Sequence, residues 1–178
     1  MKVSTSYIII AVGIVVSFGI YATAHVQKYS TSNSSVAVSL AVGELAPSFT
    51  VQSIDGKSFS LAEHKGKPVI IFGMFGGCGE CIPTGETLNK IQKDYAAKGV
   101  SVLAIDILNG EPLSTLEQYR DYIKADFPLV VYSDSVVRAY NLTAPEITYV
   151  IDANGNIADI NLSALNYQQY KDELDKII

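Results

Sequence analysis

The chain has 178 residues, 48% of them apolar, with 13 basic and 18 acidic side chains for a net charge of −5. That apolar content excludes a disordered chain, and interspersed acidic charge without a basic stripe excludes nucleic acid as a partner. Lys2 and Lys28 are the only charges before Glu44, so the acidity belongs to residues 44–178, a length sufficient for one well-buried domain.

Residues 7–24 (YIIIAVGIVVSFGIYATA) carry no charge. As a helix, roughly 18 residues at about 1.5 Å each span roughly 27 Å, close to the hydrocarbon thickness of a bilayer. Tyr7 and Tyr21 fall near the ends, where amphipathic rings favour the interface, and Lys2 sets a thin bias for an N-in orientation. Ala22-Thr23-Ala24 has the form of a signal-peptidase site, so residues 1–24 are a membrane anchor or a signal peptide. The apolar run is longer than most signal cores, which favours the anchor. Both readings place the domain outside the cytoplasm, where a disulfide persists. Residues 25–43 form a Ser-rich tether. Asn33, Asn141 and Asn161 each begin an N-x-S/T triplet, a weak signal for glycosylation.

From Glu44 the texture changes. Residues 49–54 alternate apolar and polar, Asp55-Gly56 turns, and residues 58–60 return, which predicts a hairpin. Val69-Ile-Ile-Phe72 reads as a strand buried on both faces. A Gly-rich bend, residues 73–77, leads to Cys78-Gly79-Glu80-Cys81, and residues 80–98 read as a helix with Leu88, Ile91 and Tyr95 on its buried face. Lys98 and Gly99 close it. Residues 100–107 predict a second buried strand, and the two strands with the helix between them predict a right-handed parallel crossover. Pro112 opens a helix bearing Leu116, Tyr119 and Ile123. A short strand at 129–132, a brief helix at 134–140 and a hairpin at 147–151 and 156–160 follow. A closing helix carries Tyr167, Tyr170, Leu174 and Ile177.

Cys78 and Cys81 are the only cysteines. Strand, tight loop, C-x-x-C and helix put the first sulfur at the positive end of a helix, which stabilises a thiolate and makes the pair a redox centre. A stapling disulfide is the plain alternative, but a loop so short constrains the unfolded chain by only about 2 kcal/mol.

The segment Gly43-Glu-Leu-Ala-Pro-Ser-Phe49 with Asp55-Gly56-Lys57, the strand after Gly66-Lys67-Pro68, the Cys78–Cys81 pair, and Ala144-Pro145 before Tyr149-Val-Ile-Asp152 carry a family resemblance. In that order they resemble the thioredoxin superfamily, and within it the membrane-tethered redoxins of the TlpA and ResA kind. The resemblance implies an α/β fold over residues 44–178, a mixed central sheet flanked by helices with a leading hairpin. It implies that Cys78 is the exposed nucleophile and Cys81 the buried resolving thiol. It also implies that Pro145 is cis, presenting the Ala144 backbone to an extended substrate segment. No cofactor is implied. The expected partners are protein thiols and disulfides of exported proteins, with apocytochrome c maturation one candidate pathway, and an upstream membrane or soluble thiol donor.

The chain departs from that pattern. Gly77 stands where the family usually has Trp, Phe72 where thioredoxin proper has an acid, and Thr84 where ResA-like members have one; Glu86 lies near but elsewhere on the helix turn. Proton handling at Cys81 is thus left open by the sequence. Glu80 and Glu146 are candidates for tuning Cys78: their charge opposes the helix end, so Cys78 is expected to be only moderately acidified and the pair to lean to a reductant. Two other classes stand beside this reading. A peroxiredoxin-like thiol peroxidase shares the leading hairpin, but Ile71 and Phe75 occupy the places of its Pro and Thr. A metal-carrying binding module has only His25 and His64 to add to the cysteines, too few soft ligands for zinc. His64 is read as part of a surface turn and Asp106 as a strand-end cap.

Overall fold

A computed structural model describes residues 40–178. The expected anchor at 7–24, the Asn33 triplet and most of the tether lie outside the described residues. Among the described residues no helix is long and apolar enough to cross a membrane.

Among the described residues, seven strands and four α-helices follow in order: β1 (Thr50–Gln52), β2 (Ser58–Ser60), β3 (Val69–Met74), α1 (Cys81–Tyr95), β4 (Ser101–Asp106), α2 (Leu113–Ile123), β5 (Leu129–Val130), α3 (Asp134–Ala139), β6 (Thr148–Ile151), β7 (Ile157–Asn161) and α4 (Tyr167–Leu174). β1 and β2 pair antiparallel as the hairpin read around Asp55-Gly56. The other five form one mixed sheet in the order β5-β4-β3-β6-β7, with β3 parallel to β4 and antiparallel to β6. This is the thioredoxin-like arrangement, and β3 is its middle strand.

All six residues of β3 are buried. Ile70, Phe72 and Met74 face one core with Leu88, Ile91, Leu116, Tyr119, Tyr170 and Leu174, so α1, α2 and α4 cover that side. Val69 and Ile71 face the other, with Phe59, Leu61, Val136, Tyr140 and Tyr149, beneath the hairpin and α3. A strand with apolar side chains on both faces fits only such a central position. Each fully buried aliphatic or aromatic side chain contributes roughly 1.5–3 kcal/mol of transfer free energy.

The elements are generally shorter than their sequence patterns. α1 ends at Tyr95, and Ala96–Lys98 tighten into a 3-10 turn closed by Gly99 at φ 83. β5 keeps two residues, since Val131 already turns to solvent. α4 begins at a reciprocal capping box between Asn166 and Gln169. At the other end of the domain, Gly43 N–H donates to Ile157 O at 2.8 Å, so residues read as the end of the tether already bond to β7.

A candidate redox site at the start of helix α1

β3 delivers the chain to the site. After Met74 the loop closes a turn in which Cys78 N–H donates to Phe75 O (3.0 Å), and α1 begins three residues later. Cys78 and Cys81 are joined as a disulfide with Cα atoms 5.3 Å apart, so the structure holds the oxidised form. Cys81 N–H donates to Cys78 Sγ at 3.1 Å. The same N–H also donates to Cys78 O at 3.2 Å, so one shared amide of α1 reaches the first sulfur. On reduction the same N–H faces a thiolate, an arrangement that favours the charged form.

The two sulfurs are not equivalent. Cys81 is fully buried, while Cys78 is 6% exposed between Gly77, Gly79 and Glu80, all exposed. Cys78 is thus buried rather than exposed as the resemblance implied, and is only the less buried of the two cysteines. Glu80 precedes α1, and its side chain caps nothing.

Ala144 and Pro145 lie at the same end of the sheet. Gly73 N–H donates to Ile147 O (2.9 Å), and Glu146 N–H to Gly73 O (2.8 Å), which seats the turn beside the exit of β3. The expected cis bond is corrected: no peptide bond among the described residues is cis, so Pro145 is trans. The chain reverses at Glu146 instead, which takes φ 69 and is fixed there by its bond to Gly73.

Glu146 also reaches a group the sequence reading had not paired with it. Thr84 Oγ1 donates to Glu146 Oε1 at 2.8 Å across 62 residues. Thr84 is 2% exposed and lies three residues after Cys81, on the same face of α1. Next to it, Tyr119 Oη donates to the Cys81 carbonyl at 2.7 Å. Burial raises the Tyr119 pKa, and the charges of Glu146 and Glu86 raise it further. Cys81, Thr84, Tyr119 and Glu146 therefore form one cluster under the disulfide. Gly85 makes room for it: a Cβ there would stand 2.1 Å from Tyr119 Oη. A glycine inside an apolar helical pattern is a sequence signal for such an approach.

Phe72 is buried in the core shared with Cys81, so no carboxylate occupies that place. The buried acid lies one strand over. Asp106, 2% exposed, pairs in register with Met74 at the end of β4 and accepts Leu108 N–H at 2.8 Å, the strand-end cap read from sequence. Burial raises its pKa to about 6, the amides of Leu108 and Tyr132 oppose this, and the charge of Glu111 adds to it. Glu111, unremarked in the sequence, accepts two amides of the loop before Cys78.

His64 is part of a 3-10 turn and stacks on Phe59 with ring centroids 4.2 Å apart, remote from the cysteines in sequence and on the opposite core. No group of three or more His, Cys, Asp or Glu among the described residues is placed to hold a metal ion. Two surface cavities, of about 160 and 430 Å³, are lined by residues of the hairpin side and touch neither cysteine.

Comparison with known proteins agrees with this geometry. Residues 42–160 match the model of the AhpC/TSA family. The chain is 28% identical over 139 residues to the thiol-disulfide oxidoreductase ResA of Geobacillus thermodenitrificans, covering 78% of this chain and 79% of that protein. It is 27% identical over 150 residues to the thioredoxin-like protein YneN of Bacillus subtilis, covering 84% and 85%. A putative thiol:disulfide interchange protein DsbE from Chlorobium tepidum superposes with a TM-score of 0.70 at 20% identity, over 78% of this chain and 99% of that one, a likeness of fold. The chain belongs to the AhpC/TSA family, and its Cys78–Cys81 pair at the head of α1 makes it a thiol-disulfide oxidoreductase.

Proposed function

We propose that this chain is a membrane-anchored enzyme facing the outside of the cytoplasm, where it exchanges disulfides with exported proteins and acts mainly as a reductant. The observation that carries the exchange reading is the inequality of the two sulfurs. Cys78 keeps 6% exposure beside exposed Gly77, Gly79 and Glu80 and has an α1 amide on its Sγ, whereas Cys81 is fully buried. Apolar residues 7–24 support the location, and the acids near the site support the direction.

In the reduced enzyme the Cys78 thiolate attacks one sulfur of a substrate disulfide. A Cys78–substrate bond forms, the substrate disulfide breaks, and the departing thiolate takes a proton from water. Cys81 then loses its proton and attacks Cys78 Sγ. The Cys78–Cys81 bond forms, the substrate's second sulfur leaves, and two electrons have passed to the substrate. The Cys81 proton goes to Glu146, whose carboxylate reaches the buried face of α1 through Thr84. A thiol donor restores the dithiol by the reverse steps. Exposed Ala144 and half-buried Pro145, beside the exit of β3, offer the backbone that an extended substrate segment would meet.

Cys81→Ser tests this, because it blocks the second attack and leaves the mixed disulfide standing. Exported proteins should accumulate as disulfide adducts of Cys78, released by dithiothreitol. No adducts at all would mean a binding module or a stapling disulfide. Labelling of the reduced pair in intact cells by a membrane-impermeant thiol reagent tests the location; protection until lysis would refute it.

A further inference from the structure

The loop before Cys78 is held by a carboxylate from another part of the chain. Glu111 Oε2 accepts Gly76 N–H at 2.7 Å and Glu111 Oε1 accepts Gly77 N–H at 3.1 Å, so each oxygen takes one of two successive amides. Successive backbone amides turned the same way form a small concave site for an anion, and here the chain fills it with its own carboxylate. Glu111 is fixed in turn by its N–H to Leu108 O (3.2 Å), just before Pro112 and α2.

The loop is also docked on α2 itself. A Cβ on Gly76 would lie 2.7 Å from Thr115 C, 2.8 Å from Thr115 O and 2.9 Å from Leu116 N. Those atoms are backbone and cannot yield, so the loop meets the first turn of α2 with no room for a side chain. The clamp and the close approach together fix the residues immediately before Cys78, where the family pattern has a large indole and this chain has Gly77.

We propose that Glu111 is a positioning residue for the Cys78 centre, holding the loop that presents the sulfur and supplying a negative charge that works against its thiolate. This rests on the reading of Cys78 as the attacking sulfur. The charges carried by the elements around the loop are acidic. Glu80 follows Cys78 at the head of α1, Asp106 is buried at the end of β4, Glu146 lies in the turn bonded to Gly73, and Glu86 and Glu117 lie further along α1 and α2. The stretches that surround the loop, residues 73–89 and 105–119, contain no Lys or Arg. The Glu111 charge is therefore unopposed by any cation of these stretches. As a general scale, a unit charge about 6 Å from any thiolate, even in water-like surroundings, alters its equilibrium about threefold, and more where the dielectric is lower.

The test measures Cys78 thiolate by ultraviolet absorbance against pH in the reduced full-length protein, its Glu111→Gln and Glu111→Asp variants, and a Glu117→Gln control. Glu111→Gln should raise the thiolate fraction below its midpoint at least threefold, whereas Glu117→Gln should leave it unchanged. Glu111→Asp should keep a midpoint near wild type while the Gly76 and Gly77 amides exchange faster with solvent, which separates charge from clamp. An unchanged midpoint in Glu111→Gln, or an equal change in Glu117→Gln, would overturn the proposal. Should the Glu111 variants fail to fold, nuclear magnetic resonance of the wild type decides it. The Gly76 and Gly77 amide protons should move together with the titration of one carboxyl group, and flat amide shifts would overturn the clamp. Wild type that exchanges no disulfide, yet shows the joint amide titration, would sink the redox reading and the proposal built on it while leaving the clamp as architecture.

Discussion

Gly85→Ala puts the packing beneath the disulfide under direct strain. In an open helix interior the change would stabilise by about 1 kcal/mol, because alanine is the better helix former. Here the new Cβ would stand 2.1 Å from Tyr119 Oη, 2.8 Å from Ile123 Cδ1 and 3.1 Å from Tyr119 Cζ. Tyr119 is buried and its hydroxyl is bonded to the Cys81 carbonyl, so it can move only by breaking that bond and pushing α2 from α1. Overpacking of this kind costs about 1–3 kcal/mol, and the lost hydrogen bond about 1. After the helix gain is set against these, Gly85→Ala should destabilise by about 1–3 kcal/mol.

Tyr119→Phe removes the obstructing oxygen and the bond together, at about 1 kcal/mol alone. In the double variant the worst contact is gone and the bond is lost only once. The two changes should therefore fall short of additivity by at least about 1 kcal/mol. Urea unfolding of the four oxidised proteins measures this cycle. Disulfide exchange should slow in Gly85→Ala and partly recover in the double variant, since the displaced carbonyl belongs to Cys81. Additivity within about 0.3–0.5 kcal/mol, or a stabilised Gly85→Ala, would refute the reasoning.

The remaining predictions concern the acids. Asp106 has its pKa raised by burial to about 6 from 3.8, so the native state holds its proton more tightly than the unfolded chain. Its stabilisation is complete below about pH 4 and is lost as pH rises to about 6, by up to about 3 kcal/mol. Asp106→Asn should flatten that part of the stability profile in urea titrations; an unchanged slope would contradict the assignment. Glu173, pushed by burial to about 7, should keep its own decline above pH 4.5 in that variant. Thr84→Val and Glu146→Gln should each slow the resolving attack of Cys81 in stopped-flow experiments, leave alkylation of Cys78 nearly unchanged, and combine non-additively. A uniform loss at both sulfurs would point to misfolding instead. Glu80→Gln should raise the reactivity of reduced Cys78 towards iodoacetamide below neutral pH at low salt and less so at high salt, as removal of an exposed neighbouring charge requires.

What the sequence could reveal was governed by locality. The unbroken apolar run of β3, the three-and-four spacing of Leu88, Ile91 and Tyr95, and the short spacing of the cysteines are local signals, and the structure keeps all of them. The supports of the site are long-range. Glu111 meets its amides across 34 and 35 residues and Thr84 meets Glu146 across 62, distances at which no periodicity links the partners. The isomer of Pro145 was beyond local reasoning for a different cause. Cis and trans differ by only about 0.5–1 kcal/mol at proline, so the choice falls to tertiary contacts such as the Gly73–Glu146 pairing. Strand ends were overrun because apolar residues continue past the last ladder bond, as Val131 does after β5.

The most direct test of the central claim is competitive alkylation of the reduced protein at neutral pH with substoichiometric iodoacetamide, the two cysteines being resolved by peptide mass spectrometry. Cys78, the less buried of the two and with the Cys81 N–H on its sulfur, should be modified many times faster than Cys81. Equal modification, or preference for Cys81, would contradict the account.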